Sequence, residues 1–372
     1  MKLTLERAAL LSSLGHIQSV VERRNTIPLL SNVEFVAAED HLSLAATNLD
    51  LALRESVPAE VERGGGTTTP AHMLYDIVRK LPDGAQIEFS QDGEGEQLSL
   101  RAGRSEFSLP CLPREDFPVI SEGELPVQFE LATADLKRLI DKTRFAISSE
   151  ETRYYLNGIH IHRAERDGVA MLRSVATDGH RLAKVEMPLP EGAAALPAII
   201  IPRKAVQEVR KLIDQGEGAV AIAVSETRIR FAFGAAVLTS KLIDGTFPDY
   251  ERVIPENNDK SLEVETGAFA EAVDRVSTIA TETSQAVKLS LDDGALVVSA
   301  ASPESGSANE NVPVVYVGEA LEVGFNARYL LEIARQIDDE KLRMLFADSI
   351  SPMLVEDASD PGALYVLMPM RV

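Results

Sequence analysis

The sequence predicts an α+β protein made of three copies of one unit of about 125 residues, each with two helices packed on antiparallel strands. Three recurrences predict it. A short strand followed by helical apolar spacing opens the chain and returns twice. A second helix, opened by Pro or Asn, also comes three times. A strand closing on a Phe-Pro pair ends the first two copies.

The opening strand Leu3-Thr4-Leu5 leads to Leu10, Leu11 and Leu14 at helical spacing. Phe129-Glu130-Leu131 leads likewise to Leu136, Leu139 and Ile140, and Leu262-Glu263-Val264 to Phe269, Val273 and Val276. The second helices are expected over 70–81, behind Pro70, over 202–212, behind Pro202, and over 326–337, behind Asn326. Proline suits a helix start because its missing N–H would be unpaired there, and an Asn side chain caps the first free N–H groups. Phe107-Ser108-Leu109 runs on to Phe117-Pro118, and Leu238-Thr239-Ser240 to Phe247-Pro248-Asp249-Tyr250. The third copy stops in the matching strand, 364–371. Between these landmarks lie short alternating runs such as Gln97-Leu98-Ser99-Leu100, with turns such as Pro82-Asp83-Gly84. The Pro-rich stretches 110–126 and 248–255 read as linkers, and 64–66 and 302–311 as loops.

The 372 residues are 26% charged and 45% hydrophobic, a globular composition. An apolar run of about 18 residues is missing, so no membrane span is expected. The N-terminus lacks a signal-peptide layout, and the single Cys111 excludes a disulfide framework and a Cys-based zinc site. A cytoplasmic protein without cofactor or metal is expected. The net charge of −21 by itself argues against nucleic acid. The helices run the other way. Residues 202–212 hold Arg203, Lys204, Arg210 and Lys211 against Glu208, and 133–144 hold four cations against two acids. Only 267–282 is acidic, with Arg275 against Glu271, Asp274 and Glu282. Helices sharing one face would make that face basic, a lining for phosphates that reads no sequence.

The densest chemistry is Ala176-Thr177-Asp178-Gly179-His180-Arg181-Leu182-Ala183, a polar knuckle at a strand end. Asp178 with His180 is the acid/base reading. An ordinary turn is the alternative, with Asp178 bonding its own backbone and Gly179 at positive φ. A weaker copy, Ala46-Thr47-Asn48-Leu49-Asp50, lies 130 residues upstream (176 − 46). An enzyme would need more than this pair: the sequence has no nucleophile elbow and no Gly-rich phosphate loop. His160 and His162 share one strand face and are expected at the surface.

Together, Arg153-Tyr154-Tyr155-Leu156-Asn157-Gly158, the 176–183 knuckle, Ile201-Pro202-Arg203-Lys204, Phe247-Pro248-Asp249-Tyr250 and Met368-Pro369-Met370-Arg371 resemble the bacterial sliding-clamp family, the beta subunits of DNA polymerase III. The resemblance spans all three units and implies clamp domains at 1–125, 126–256 and 257–372. It implies a non-enzymatic processivity factor: a head-to-tail dimeric ring around duplex DNA. The implied partners are double-stranded DNA, a second copy, the polymerase III catalytic subunit, a clamp loader and other proteins carrying a clamp-binding motif. The implied DNA contacts are Arg24, Lys137, Arg153, Tyr154, Tyr155, Arg203, Lys204, Arg210 and Lys211. The implied peptide cleft, between second and third domains, is formed by Leu156, Thr177, Gly179, His180, Arg181, Leu182, Pro248, Arg252 and Val253. Asn326, Tyr329, Ile350, Val366, Leu367, Met368, Pro369, Met370 and Arg371 complete it. Arg181, Arg252 and Arg371 would pair a partner's carboxylates at its rim, and Gly179 would let a peptide backbone approach. The implied dimer contact joins Phe107 and Leu109 to Thr278 and Ile279. The chain departs from the family pattern at His72, where a basic residue is common, at Pro352 and at Val372.

Size supports two chains per ring. A domain of about 125 residues is roughly 35 Å across. Three such spheres in a closed triangle leave a gap of about 5 Å, whereas six in a hexagon leave about 35 Å. A duplex about 20 Å wide with its water passes only the second. Unlike end domains make that dimer head-to-tail.

Overall fold

The computed structural model describes residues 1–23, 26–92, 95–118, 123–214, 218–280, 285–292 and 294–371. The first copy runs β1 (Lys2–Glu6), α1 (Arg7–Val20), β2 (Asn32–Ala38), β3 (His41–Thr47), β4 (Leu51–Pro58), β5 (Glu60–Arg63), β6 (Gly65–Pro70), α2 (Ala71–Lys80), β7 (Gln86–Ser90), β8 (Gln97–Ala102) and β9 (Ser105–Pro110). The second runs β10 (Val127–Ala132), α3 (Thr133–Arg144), β11 (Gly158–Arg166), β12 (Val169–Thr177), β13 (Arg181–Pro188), β14 (Ile199–Pro202), α4 (Arg203–Ile213), β15 (Ala219–Val224), β16 (Arg228–Phe233) and β17 (Ala236–Lys241). The third runs β18 (Lys260–Glu265), α5 (Thr266–Ser277), β19 (Ala286–Asp292), β20 (Ala295–Ser302), β21 (Gly306–Val317), β22 (Leu321–Asn326), α6 (Ala327–Ala334), β23 (Lys341–Phe346), β24 (Met353–Glu356) and β25 (Ala363–Leu367).

Each helix buries one stripe, as its apolar spacing requires. In α1 the stripe is Leu10, Leu14, Ile17 and Val20, and in α4 it includes Val206, Val209 and Ile213. Asn326 caps α6 as expected, its side chain accepting from the N–H groups of Arg328 and Tyr329. The α5 helix ends at Ser277, short of the expected 282, and Glu282 lies outside the described residues. No helix among the described residues is long and apolar enough to cross a membrane.

The chain divides into two compact units, each holding continuous sheets. One comprises 1–137, 190–197 and 204–242; the other comprises 138–189, 198–203 and 243–372. The first unit contains a five-stranded sheet in order β5-β1-β7-β8-β9 and an eight-stranded sheet β10-β15-β16-β17-β4-β3-β2-β6. The second contains a twelve-stranded sheet β14-β11-β12-β13-β25-β24-β23-β18-β21-β20-β19-β22. In both large sheets, strands of successive copies pair directly: Leu51 opposite Ser240, and Arg181 opposite Leu367.

Three local expectations change. Gly65 and Gly66 lie in β6, paired with Ala37 and Val36, rather than in a loop. A Cβ at Gly66 would meet the Arg114 side chain at 2.8 Å, so any larger residue there would require Arg114 to shift. Residues 302–311 are not a loop either: Ser302 pairs with Gly306 to open the β20–β21 hairpin. Their small polar side chains hide the strand because this part of β21 pairs on one side only, with β20. Finally, the 248–255 stretch is no free linker. Tyr250, with Phe247 just before it, is buried against Leu156, Leu182, Leu354 and Val366.

Candidate functional site

The knuckle is a turn, and its groups are committed to making it. Thr177 Oγ1 donates to the Arg181 carbonyl (2.6 Å) and accepts from the Gly179 N–H (3.1 Å). Asp178 Oδ1 accepts from the N–H groups of His180 (2.9 Å) and Arg181 (3.1 Å). Gly179 has φ +89°. The Asp178 carboxylate is thus spent on the backbone, which favours the turn reading over acid/base chemistry. The upstream copy repeats it bond for bond. Thr47 Oγ1 donates to the Leu51 carbonyl and accepts from the Leu49 N–H, both 3.0 Å, while Asn48 Oδ1 accepts from Asp50 and Leu51. That copy has Leu49 (φ +78°) in place of the glycine, and Thr239 stands opposite Ala52 where Val366 stands opposite Leu182. Small residues leave a cavity of about 360 Å³ there, beside Ala45, Ala52 and Phe117. The knuckle of the second unit has the apolar floor instead.

That floor follows from register. Thr177 pairs with Leu182, Leu182 with Val366 and Val366 with Leu354, so these four share one face of the sheet. Leu156, Phe247 and Tyr250 close over it. Arg173 holds the covering segment in place: it donates to Tyr250 Oη (3.1 Å), Glu251 (2.5 Å) and Glu186 (2.6 Å). Val253, Ile350 and Met368 stand exposed. Pro248, Arg252 and Arg371 are exposed as well, with Arg252 ion-paired to Asp249, while Pro369 is half-buried.

Alternation along the strands sends Arg181 and Leu367 to the opposite face. Arg181 is 7% exposed and is not a rim cation. It pairs with Asp178 and Glu332, donates to the Phe145 carbonyl (2.6 Å), and lies over the Tyr329 ring at 4.2 Å. Leu367 is fully buried and lines no cleft. The Arg153 guanidinium lies over Gly179, 2.8 Å from where a Cβ would be, so a peptide backbone approaching there would displace that side chain first. The His180 ring stacks near Tyr329, centroids 6.4 Å apart. Beyond β25 the tail is held by two backbone bonds, Met368 N–H to the His180 carbonyl (2.9 Å) and Met370 N–H to the Gly324 carbonyl (2.8 Å). Leu156, Thr177, Leu182, Val366 and the tail therefore lie together, with Asn326 and Tyr329 at the start of α6.

His160 and His162 are half-buried rather than exposed surface residues. Their rings stack at 4.7 Å, His160 lies flat on Phe247 at 4.6 Å, and His162 Nε2 meets Tyr250 Oη at 3.0 Å. Burial, and then the neighbouring His162, push the His160 pKa down to about 4. The unfolded chain therefore takes up a proton near pH 6.5 that the folded chain refuses until about pH 4. Stability contributed by neutral His160 is present above pH 6.5 and lost as pH falls toward 4, on the order of 2–3 kcal/mol. Urea unfolding at pH 7.5 and 4.5 is expected to show a smaller acid loss in His160→Gln than in the native chain; equal losses would exclude His160 as a source.

The basic residues are tethered. In the first unit, Lys204 Nζ donates to the Ser19 carbonyl (2.5 Å) and pairs with Glu208 (3.2 Å), Lys211 pairs with Glu208 (2.9 Å), and Arg210 with Asp214 (2.5 Å). Glu208 is only 2% exposed, so it anchors the two lysines rather than offsetting them in solvent. Lys137 is exposed. In the second unit Arg203 donates to the Ile147 carbonyl (2.6 Å), Arg153 pairs with Glu150, Tyr154 is exposed and Tyr155 packs on the floor cluster. Arg24 lies outside the described residues.

The β9 strand is the outer strand of its sheet; Phe107 is half-buried there and Leu109 is buried in its own unit, which leaves Phe107 the more available of the two. Thr278 is exposed and Ile279 half-buried just past α5.

Comparison with known proteins covers the whole length. The DNA polymerase III beta subunit family matches in three parts: its N-terminal domain over residues 1–121, its central domain over 130–249 and its C-terminal domain over 251–371. The beta sliding clamp of Caulobacter vibrioides is 54% identical over 372 residues, and that of Escherichia coli K12 39% identical over 375, each aligned over the full length of both chains. Among solved structures, a C. crescentus beta sliding clamp with PEG bound to a putative beta-motif tethering region superposes with TM-score 0.96 at 54% identity, covering 100% of this chain and 99% of that one. A Bartonella birtlesii sliding clamp, DNA polymerase III subunit beta, bound to griselimycin superposes with TM-score 0.97 at 49% identity over all of both chains. The chain belongs to the DNA polymerase III beta subunit family, the beta sliding clamps.

Proposed function

We propose that the chain is a replication processivity factor that does no chemistry of its own. Two copies close head-to-tail around duplex DNA, and the cleft at Leu156, Thr177, Leu182 and Val366 tethers DNA polymerase III, its clamp loader and other motif-bearing proteins. The observation that carries this reading is the end-to-end match to beta sliding clamps at 54% identity. The three copies, taken as 1–125, 126–256 and 257–372, are its domains, and the cytoplasm is its place of work. Lys137, Lys204, Lys211, Arg153, Arg203, Arg210, Tyr154 and Tyr155, with Arg24, supply non-specific DNA contacts. The leash from Glu208 to Lys204 and Lys211 favours loose contact, because a phosphate must compete with a buried carboxylate. Loose contact suits sliding.

Ring closure is proposed at two edges that are unpaired among the described residues. One is β9; the other is the 306–313 part of β21, near Thr278 and Ile279. Pairing across chains would hide both edges. Ile279→Asp places a charge in that contact and is expected to give monomers by sedimentation velocity at micromolar concentration, and to abolish retention on nicked circular DNA. A dimeric Ile279→Asp protein would put the contact elsewhere. A monomeric variant still retained on circles would refute encirclement by a dimer.

A further inference from the structure

One wall of the cleft stands on a histidine. Pro248, Arg252 and Val253 reach the surface from a single segment, whose buried residues Phe247 and Tyr250 fix where it lies. Tyr250 opens the 3-10 turn Tyr250–Val253, so whatever anchors the Tyr250 side chain also places Arg252 and Val253. Behind this segment, register sets His160 opposite Ile200 and Val175, both in the floor cluster, and His162 opposite Arg173. The two imidazoles therefore share the sheet face that carries Leu182 and Val366.

The hydrogen bonds around His162 suit a neutral ring of one tautomer. A carbonyl only accepts, so Nδ1–H donates to the Arg163 carbonyl (2.8 Å) and Nε2 is left bare. The Tyr250 hydroxyl accepts from Arg173 (3.1 Å) and donates to that bare Nε2 (3.0 Å). A proton on Nε2 would put two donors into this contact, and Tyr250 would have to turn its hydroxyl hydrogen out of it. The surrounding charges act in the same direction. Facing His162 are Arg173 on β12, Lys184 and Glu186 on β13, His160 and Arg166 on β11, and Tyr250 and Glu251 in the wall. The β14 strand adds only the Ile199 carbonyl, bonded to His160 Nδ1 (3.1 Å). Three cations thus stand against two carboxylates, and Arg173 is already shared between Glu186 and Glu251. Burial first, and Arg173 with it, push the His162 pKa below the ordinary 6.5, against the pull of the Arg163 carbonyl and Glu251.

We propose that His162 is a positioning residue of the cleft: its neutral ring holds Tyr250, and through Tyr250 the wall beside a docked segment, so that uptake of a proton loosens the partner's hold. This inference rests on the peptide-docking reading of the cleft. His160 extends the contact, stacked between His162 at 4.7 Å and Phe247 at 4.6 Å. Docking is then full above pH 6.5 and weakens below it, because the docked state favours the neutral ring. By reciprocity, a docked segment makes His162 harder to protonate by the same factor. Protonation midpoints one pH unit apart in the free and docked states change affinity by up to about tenfold, and by about threefold at a pH midway between them.

The test uses the full-length dimer and a fluorescent peptide of the clamp-binding segment of the polymerase III catalytic subunit, followed by anisotropy at pH 7.5 and 5.5. His180 and the peptide's own groups also titrate, so the readout is a comparison with His162→Gln, which keeps an oxygen for the Tyr250 hydroxyl but takes up no proton. Between the two pH values the native chain is expected to lose about threefold more affinity than His162→Gln. An equal loss in both proteins overturns the proposal while the cleft stands. Should His162→Gln fail to fold, the native chain decides by histidine-selective NMR. The His162 ring is expected to carry its proton on Nδ1 at pH 7.5 and to have a lower protonation midpoint with saturating peptide than without. A midpoint that the peptide leaves in place, or a proton found on Nε2, overturns the proposal. A peptide that fails to bind the native chain at pH 7.5 removes the cleft reading and this proposal together.

Discussion

Arg181→Met is expected to lower the unfolding free energy by about 3 kcal/mol, although the substitution keeps the stem and its packing. The guanidinium lies on the helix side of the sheet, joined to Asp178, Glu332, the Phe145 carbonyl and the Tyr329 ring. Its removal leaves two carboxylates, 15% and 28% exposed, facing each other's charge without a cation. Breaking a buried pair costs more than the pair contributes over an apolar replacement, because the remaining charge stays desolvated. The triple change Arg181→Met, Asp178→Asn, Glu332→Met removes the orphaned charges and is expected to recover about half of the loss. Urea denaturation of the three proteins measures this. A silent Arg181→Met would show that the residue is a solvated rim cation after all.

Deleting 368–372 is expected to abolish peptide binding, more than a hundredfold, while the chain stays folded and dimeric. Val366 and Leu367 remain, each paired on both sides within the sheet, so the core loses nothing it buries. What goes is the exposed Met368, the half-buried Met370 and two backbone bonds, from Met368 to His180 and from Met370 to Gly324. Methionine is the adaptable side chain that a site serving several partners needs. Fluorescence anisotropy with a polymerase tail peptide, alongside a thermal melt, separates the outcomes: unfolding makes the tail structural, and unchanged affinity moves the cleft elsewhere.

Much of this was legible in the residues. The periodicity of Leu10, Leu14 and Ile17 marks α1, Asn326 marks the start of α6, and Thr177-Asp178-Gly179 marks a turn; each is a local signal, set by 3.6-residue spacing or by a side chain bonding its own backbone. What was not legible depends on register between distant strands. Nothing near Arg181 says that it faces α6 while Leu182 faces the floor, because that follows from pairing with Leu367 and Val366. The burial of His160 depends on Phe247, 87 residues later. The Gly65-Gly66 strand was hidden because glycine reads as a loop residue, while its pairing with Ala37 and Val36 joins segments far apart in the sequence. The floor row from Leu182 through Val366 to Leu354 crosses three strands and appears in no window of the sequence.

The central claim is topological: the chain holds DNA by closing around it, not by gripping it. The direct measurement loads the labelled protein onto nicked circular duplex with its loader, separates bound from free by gel filtration, and then cuts the circle once with a restriction enzyme. A sliding ring runs off the new ends, so the label should stay with intact circles and leave within minutes of cutting, with retention on the circle nearly insensitive to moderate salt. Label that stays on the linear product, or that leaves intact circles as salt rises in the manner of phosphate contacts, would contradict encirclement.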